Sequence, residues 1–241
     1  MAMLLASMTS SVSAIIGGGI VPGNEYNFAV AILQPALVEQ STSFICSGVL
    51  ISPNYVLTIA KCVMGLTASE VSVRTGKVAS TYYTHDVSNI IVHPKYNSSD
   101  LENDVALLQL KQPATKMSFA QLDANTTYPT GECIDLIGWG PTKTRDESIA
   151  TYLHSAKVDV VKEATCASML KSCYKLDPMQ HFCTNNTSKR EAYGDAGGPV
   201  IDEHGKLVGL ISGDPVCAGP DGLALEVMVG HFYQWIRNNM K

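Results

Sequence analysis

The sequence predicts an all-β domain rich in turns, and three features indicate it. Apolar residues make up 46% of the 241-residue chain and charged residues only 16%, which favours a folded domain with a large core over disorder. The 19 Gly and 11 Pro residues are scattered, as expected for short strands joined by turns. No low-complexity tract or repeat of solenoid period occurs. All-β barrels of this length often form one unit, so we expect a single folded body.

Charge and residue spacing exclude several function classes. The net charge is −5 and no block of Lys or Arg occurs, so a nucleic-acid partner is not expected. No apolar run approaches the roughly 18 residues of a membrane span, so no membrane association is expected. The His, Cys and carboxylate residues show no metal-ligand spacing. We therefore predict neither a metal nor another cofactor.

Residues 1–14, MAMLLASMTSSVSA, are predicted to form a weak signal peptide. They contain a short apolar run and end in small residues, with Val12 and Ala14 suited to the −3 and −1 positions of a signal peptidase site. A charged start is absent, so a disordered leader or a misassigned start remains the alternative.

The cysteines and glycosylation sequons favour a secreted glycoprotein. Seven Cys are present, and sequons begin at Asn97, Asn125, Asn185 and Asn186. Paired Cys together with sequons indicate an oxidising, extracellular compartment.

From Ile15 onward the chain carries five motifs that resemble those of chymotrypsin-like and trypsin-like serine proteases. They are Ile15–Gly18 (IIGG), Cys46–Ser52 with Tyr55–Cys62, Leu101–Leu108, Ile137–Gly140, and the loop Tyr193–Pro199 (YGDAGGP). The resemblance covers Ile15 to Lys241. It implies two six-stranded antiparallel Greek-key β-barrels, at about 27–115 and 118–228, and a C-terminal helix at about 230–241.

The resemblance also implies that the catalytic triad is degenerate. Ala196 stands at the position of the Ser nucleophile, and its methyl group cannot attack a carbonyl. Lys61 stands at the position of the general base, although lysine, with a reference pKa of about 10.4, holds its proton at neutral pH. Asp104 keeps the third position, and the backbone N–H groups of Gly194 and Ala196 would remain from the oxyanion hole. We therefore expect a pseudoprotease rather than an enzyme.

The sequence is compatible with two arrangements of the Lys61 and Asp104 side chains. We expect an ion pair between them, as a structural replacement for the His–Asp hydrogen bond of the family. Alternatively, Lys61 turns to solvent, and Asp104 is satisfied by backbone groups and Ser212.

The family's mature N-terminus pairs with the Asp that precedes the nucleophile, which implies a pair between Ile15 and Asp195. The residue before Ile15 is Ala14, whereas a trypsin-activated precursor carries Arg or Lys. Cleavage after Ala14 by signal peptidase would free the Ile15 ammonium directly. If the leader stays, Asp195 lacks this partner, and a buried unpaired carboxylate is costly.

The specificity pocket is also altered relative to the family. The changed pocket positions are Arg190, Glu191, Tyr193, Ser212, Gly213, Asp214 and Gly222. Arg190 stands at the pocket floor, and Asp214 replaces the Gly that keeps the entrance open. Whether these changes were selected or drifted, ordinary substrate docking is expected to be impaired.

The resemblance implies two disulfide bonds, Cys46–Cys62 and Cys166–Cys183. Cys133, Cys173 and Cys217 remain for at most one more bond. We suggest Cys173–Cys217, with Cys133 buried or free.

Two functions from different classes follow. The first is a secreted, monomeric binding protein with an extracellular protein partner. The second is a residual or non-classical hydrolase, or a dominant-negative binder of protease substrates or inhibitors. The stretch VDVVKEATC (residues 158–166) and the degenerate triad resemble mite trypsin-like, group 3 allergen-like proteins, especially the inactivated protease paralogues of the scabies mite. That resemblance implies a molecule of the host–parasite interface that inhibits host complement.

Overall fold

The strand pattern of the sequence places one face of most strands in a barrel interior. The computed structural model describes residues 15, 18–35, 42–77, 81–140, 150–170, 177–185, 194–212 and 223–241. Burial alternates along His154–Val160, as expected where one face of a strand is inside and the other is in solvent. Tyr55–Thr58, by contrast, is buried at every residue. Its Val56 packs inside the first barrel, whereas Leu57 packs between the two barrels.

The first barrel follows a two-residue strand, β1 (Gly19–Ile20). Its six strands are β2 (Ala29–Pro35), β3 (Thr42–Ser52), β4 (Tyr55–Thr58), β5 (Ser72–Lys77), β6 (Thr81–Val92) and β7 (Ala106–Leu110). They close in the order β2-β3-β4-β7-β6-β5, with every pair antiparallel. Closure leaves this barrel without an open sheet edge.

The second barrel begins after a short strand, β8 (Gln121–Leu122), which runs parallel to the later strand Lys206–Ile211. Its six strands are β9 (Cys133–Gly138), β10 (His154–Val160), β11 (His181–Asn185), β12 (Pro199–Ile201), β13 (Lys206–Ile211) and β14 (Leu223–Met228). Strand β10 pairs with both β9 and β11, which closes the barrel, and β1 adds to β10 from outside. The predicted fold class, two six-stranded barrels and a C-terminal helix, is confirmed.

Two helices complete the described structure. Helix α1 (Glu163–Leu170) carries Cys166 and was not predicted. Helix α2 (Val229–Asn239) buries Phe232 and Ile236, which are four residues apart on one face, against the core between the barrels. None of the described helices is long and apolar enough to cross a membrane.

The disulfide predictions are confirmed where the structure describes the residues. Cys46 is bonded to Cys62, and Cys166 to Cys183. Cys133 is a free, exposed cysteine, so the option that it is buried is wrong. The suggested pair Cys173–Cys217 lies outside the described residues.

Candidate active site

The three triad positions meet where the two barrels touch. Lys61 lies in a short 3-10 helix, Ala60–Cys62, directly after β4, and Asp104 lies just before β7. The loop that contains Ala196 precedes β12, and the carbonyl oxygen of Ala196 lies 3.7 Å from Cys62 Sγ. Residues of both barrels therefore frame the site, as the resemblance implies.

Asp104 is fully buried and is satisfied without the Lys61 side chain. Its Oδ1 accepts the Lys61 backbone N–H at 2.8 Å, and its Oδ2 accepts the Ser212 hydroxyl at 3.1 Å. Burial raises the pKa of Asp104 to about 6, although these hydrogen bonds and the Lys61 charge act in the opposite direction.

The expected ion pair between Lys61 and Asp104 is wrong. Lys61 is exposed, and the salt bridges among the described residues do not include a contact of its ammonium with Asp104. The physical reason is that both Asp104 oxygens already have donors, so the ammonium gains little that would offset its loss of hydration. The alternative arrangement, with Lys61 in solvent and Asp104 bound by backbone and Ser212, is the one observed.

The loop Gly194–Gly198 is held by main-chain contacts with Ser47 of β3. The Ser47 N–H donates to the Ala196 oxygen at 2.9 Å, and the Ser47 hydroxyl donates to the Gly194 oxygen at 3.1 Å. The Trp139 N–H donates in turn to the Ser47 Oγ at 3.3 Å. This side chain was not singled out from the sequence. A signal existed, since Ser47 stands at the second position of a segment where the family carries C-G-G.

The backbone donors at the positions that resemble the family's oxyanion hole have no hydrogen-bond acceptor among the residues that the structure describes. They are the N–H groups of Gly194 and Ala196. Gly194 adopts a φ of +94°, in the region that favours glycine. This geometry favours the prediction that the two N–H groups are the remnant of an oxyanion hole, which stays a prediction.

Asp195 and Ile15 are both fully buried. The Gly140 N–H donates to Asp195 Oδ1 at 2.8 Å, and the carboxyl group occupies the space that a Cβ at Gly138 or Gly140 would need. Ile15 packs in the core of the second barrel with a φ of +49°, which is unusual for a β-branched residue. A pair between the Ile15 ammonium and Asp195 stays a prediction.

The altered specificity pocket is described only at Ser212. Ser212 is buried and donates its backbone N–H to the Leu225 oxygen at 3.0 Å. The other predicted pocket positions lie outside the described residues, and their effects stay predictions: Arg190, Glu191, Tyr193, Gly213, Asp214 and Gly222. Within the described ranges, His, Cys, Asp and Glu residues form no cluster that could hold a metal ion.

The candidate glycosylation sites differ in accessibility. Asn97 and Asn125 are exposed, whereas the side-chain oxygen of Asn185, at the end of β11, is buried. Asn186 lies outside the described residues. The structure therefore favours Asn97 and Asn125 over Asn185 as glycan acceptors.

Comparison with known proteins identifies relatives over almost the whole chain. The family model described as Trypsin matches residues 16–236. Trypsin Blo t 3 of Blomia tropicalis is 33% identical over 91% of this chain and 85% of its own length. A trypsin of Sarcophaga bullata is 30% identical over 100% of this chain and 96% of its own. A vitellin-degrading protease of Bombyx mori is 27% identical over 81% of this chain and 76% of its own.

Asp104→Asn is expected to stabilise the protein above about pH 6. The folded-state pKa of about 6 exceeds the ordinary aspartate pKa of 3.8, so the folded state binds the proton more tightly than the unfolded state. Stability contributed by this group is present at low pH and is lost as pH rises from about 4 to 6. Asn keeps an oxygen for the Lys61 N–H and needs no charge.

We expect a gain on the order of 2 kcal/mol in the free energy of unfolding at pH 7 and a smaller difference near pH 4. Urea denaturation across this pH range measures it. Asp159→Asn, at an exposed aspartate of β10, is the control and should leave the curve unchanged. A destabilised Asp104→Asn at pH 7 would contradict the argument.

Gly197→Ala is expected to lower the free energy of unfolding by about 3 kcal/mol or more. Gly197 has a φ of +80°, which costs Ala roughly 1–2 kcal/mol, and its Cβ would collide with Thr58 Oγ1 and the Ser47 oxygen. Gly205→Ala is the matched control, because φ is +78° but nothing lies within 4 Å of the added Cβ. Thermal unfolding of both variants measures the difference, and equal losses would mean that the close approach to Ser47 is unimportant.

Proposed function

This chain belongs to the trypsin family, and we propose that it is a member without peptidase activity that works as a secreted binding protein. The observation that carries the proposal is the combination of Lys61 and Ala196 around a retained Asp104. A peptidase of this type needs a nucleophile and a base that removes its proton. Ala supplies no nucleophile, and a lysine ammonium at neutral pH has no free electron pair with which to accept a proton.

The placement of Lys61 supports the same proposal. Deep burial can lower the pKa of a lysine enough to make it a base. Lys61 is instead exposed, so this route to a rescued base is not favoured. A peptidase mechanism of this family would need both another nucleophile in place of Ala196 and another base in place of Lys61, so it is less favoured.

A residual hydrolase is the second candidate, and one observation favours it. The N–H groups of Gly194 and Ala196, which have no acceptor among the described residues, would still stabilise an oxyanion if a substrate docked there. Loss of triad members in this mechanism leaves on the order of 10³-fold acceleration over water. This residual acceleration requires that a substrate docks productively, which the changes at Arg190 and Asp214 oppose.

The proposed lack of peptidase activity predicts that a fluorophosphonate probe for serine hydrolases does not label the purified protein. It also predicts that a peptide library is not cleaved. Both measurements are needed, because the probe reports a nucleophile and the library reports turnover. An active trypsin treated in parallel is the positive control. Labelling or cleavage that persists in a repurified sample would contradict the proposal and favour the hydrolase.

The double variant Lys61→His with Ala196→Ser is expected to remain close to background on a simple trypsin substrate. The reason is that the predicted pocket floor, Arg190, repels the Lys or Arg side chain that such a substrate presents. Ala196→Ser alone is the control for contaminating activity. Robust cleavage by the double variant would show that docking is intact and that only the triad is lost.

For the partner, we propose an extracellular host protein, with complement components as the first candidates. Support comes from the resemblance of the degenerate triad and of residues 158–166 to inactivated mite protease paralogues. The cysteine pairs and the exposed sequons at Asn97 and Asn125 support secretion as a glycoprotein. A dominant-negative role through protease substrates is less favoured, since Gly213 and Asp214 change the segment that would pair with a substrate.

The complement proposal predicts that the protein enriches a complement component from host plasma and slows complement-mediated lysis. Capture from plasma with mass spectrometry, together with lysis assays for each complement pathway, measures both effects. A secreted globular protein of similar charge is the control for nonspecific capture. If no component is enriched and all pathways run normally, the complement assignment fails, although the binding-protein proposal then needs another partner.

A further inference from the structure

A cavity of about 250 Å³ lies on the flank of the molecule, beside strand β1 and the start of β10. Its walls are mainly apolar and aromatic. The side chains that matter for the argument belong to Ile20, Val21, Tyr26, Trp139, Tyr152 and Leu153. Preformed apolar cavities with a few polar groups are the usual form of ligand pockets in proteins. None of the triad positions lines it, so the cavity is separate from the degenerate site.

Hydrogen bonds fix the walls of this cavity. The Trp139 indole N–H donates to the Ala29 oxygen at 3.2 Å. The Val21 N–H donates to the Leu153 oxygen at 2.8 Å, which ties the residue after β1 to the residue before β10. Because the walls are already ordered, a ligand would not have to organise them, and that saves the entropy that ordering costs.

Tyr26 is held in the cavity wall in a strained conformation. Its φ of +51° is uncommon for a residue other than glycine. Its hydroxyl donates to Asp135 Oδ2 at 3.2 Å, and its ring lies edge-on to Phe28 with centroids 5.9 Å apart. Backbone strain of this kind persists only where surrounding contacts determine the position, and it concentrates at functional sites.

The rim of the cavity exposes two large apolar side chains. Ile20 is 59% exposed and Tyr152 is 50% exposed. Both line the same cavity, so the exposed apolar surface is continuous with an apolar interior. A single exposed apolar residue needs no explanation, but a rim and cavity together mark a contact site.

Charge at the rim indicates the type of ligand. Asp135 is paired with Lys157 at 3.0 Å, and the exposed Glu25, which lines the cavity, interacts with the Tyr26 hydroxyl and with the charge of Lys157. The carboxylates of Glu25 and Asp135 outnumber the ammonium of Lys157, so a cation beside the cavity would meet net negative charge and nearby aromatic rings.

We propose that this cavity is the anchor site for a protein partner that inserts one aromatic or branched apolar side chain flanked by a Lys or Arg. The volume suits a single side chain rather than a segment, and binding energy in protein interfaces concentrates in such buried anchors. The inference rests on the proposed function, because it locates the surface through which a non-catalytic chain binds.

The test uses the fluorescence of Trp139. The chain has 2 Trp residues, so Trp235→Phe leaves Trp139, in the cavity wall, as the sole indole. We expect the probe N-acetyl-Phe-Arg-amide to change the Trp139 emission saturably. The charge-reversed probe N-acetyl-Phe-Glu-amide should bind roughly tenfold more weakly, since it places a carboxylate beside Glu25.

Three variants in the Trp235→Phe background separate the contributions. Ile20→Ser and Tyr152→Ser should each weaken the Arg probe roughly tenfold by removing rim surface. Glu25→Gln should weaken it roughly fivefold and leave an uncharged probe, N-acetyl-Phe-Gln-amide, unaffected. Met179→Ser is the matched control, because Met179 is 56% exposed but does not line the cavity. Circular dichroism checks that every variant folds.

A lack of saturable change, equal binding of the two charged probes, or equal effects of Met179→Ser and the rim variants would each overturn the anchor site. These outcomes are distinct from failure of the proposed function. Fluorophosphonate labelling with intact probe binding would remove the non-catalytic role and leave the cavity as a binding site. Catalytic silence without probe binding would remove this inference alone.

Discussion

The contact between Ser47 and the loop Gly194–Gly198 is the constraint on which the rest of the site depends. Ser47 belongs to the first barrel, and the loop belongs to the second. The bonds run from the N–H and hydroxyl of Ser47 to carbonyl oxygens of the loop, and none of them uses the side chain at position 196. The loop can therefore keep its conformation with Ala at the nucleophile position. The conformation of this loop therefore does not depend on whether position 196 carries a nucleophile.

Asp104 shows the same separation between structure and catalysis. Its two donors are a backbone N–H and the Ser212 hydroxyl, so the identity of the side chain at position 61 does not decide whether Asp104 is hydrogen-bonded. A buried carboxylate still carries a desolvation penalty, which is why its pKa rises to about 6. The retained aspartate thus holds the junction between Lys61 and Ser212 together at a cost in stability above that pH.

The sequence predicted the two barrels and both described disulfide bonds because long motifs in a fixed order carry that information. It did not predict the correct direction of Lys61, which was expected to pair with Asp104, since hydration of an ammonium and pairing with a carboxylate differ by little free energy. Nor did it reveal Ser47, whose hydroxyl bonds to a residue 147 positions away. Helix α1 was missed because its residues show little amphipathic pattern, with only Cys166 and Leu170 buried. A local sequence pattern contains no information about long-range contacts such as that of Ser47, or about small energy differences such as that which sets the direction of Lys61.

The same hydrogen bonds join the lateral cavity to the degenerate loop. The Trp139 N–H donates to the Ser47 Oγ, and the Ser47 hydroxyl donates to Gly194, while the Trp139 ring forms a wall of the cavity. This path contains neither Lys61 nor Ala196, so it does not depend on the side chains at these two positions. A scaffold that needed its triad for rigidity would lose binding surfaces together with catalysis. Here the groups that order the surface are main-chain atoms and Ser47, so the binding function proposed above does not require a functional triad.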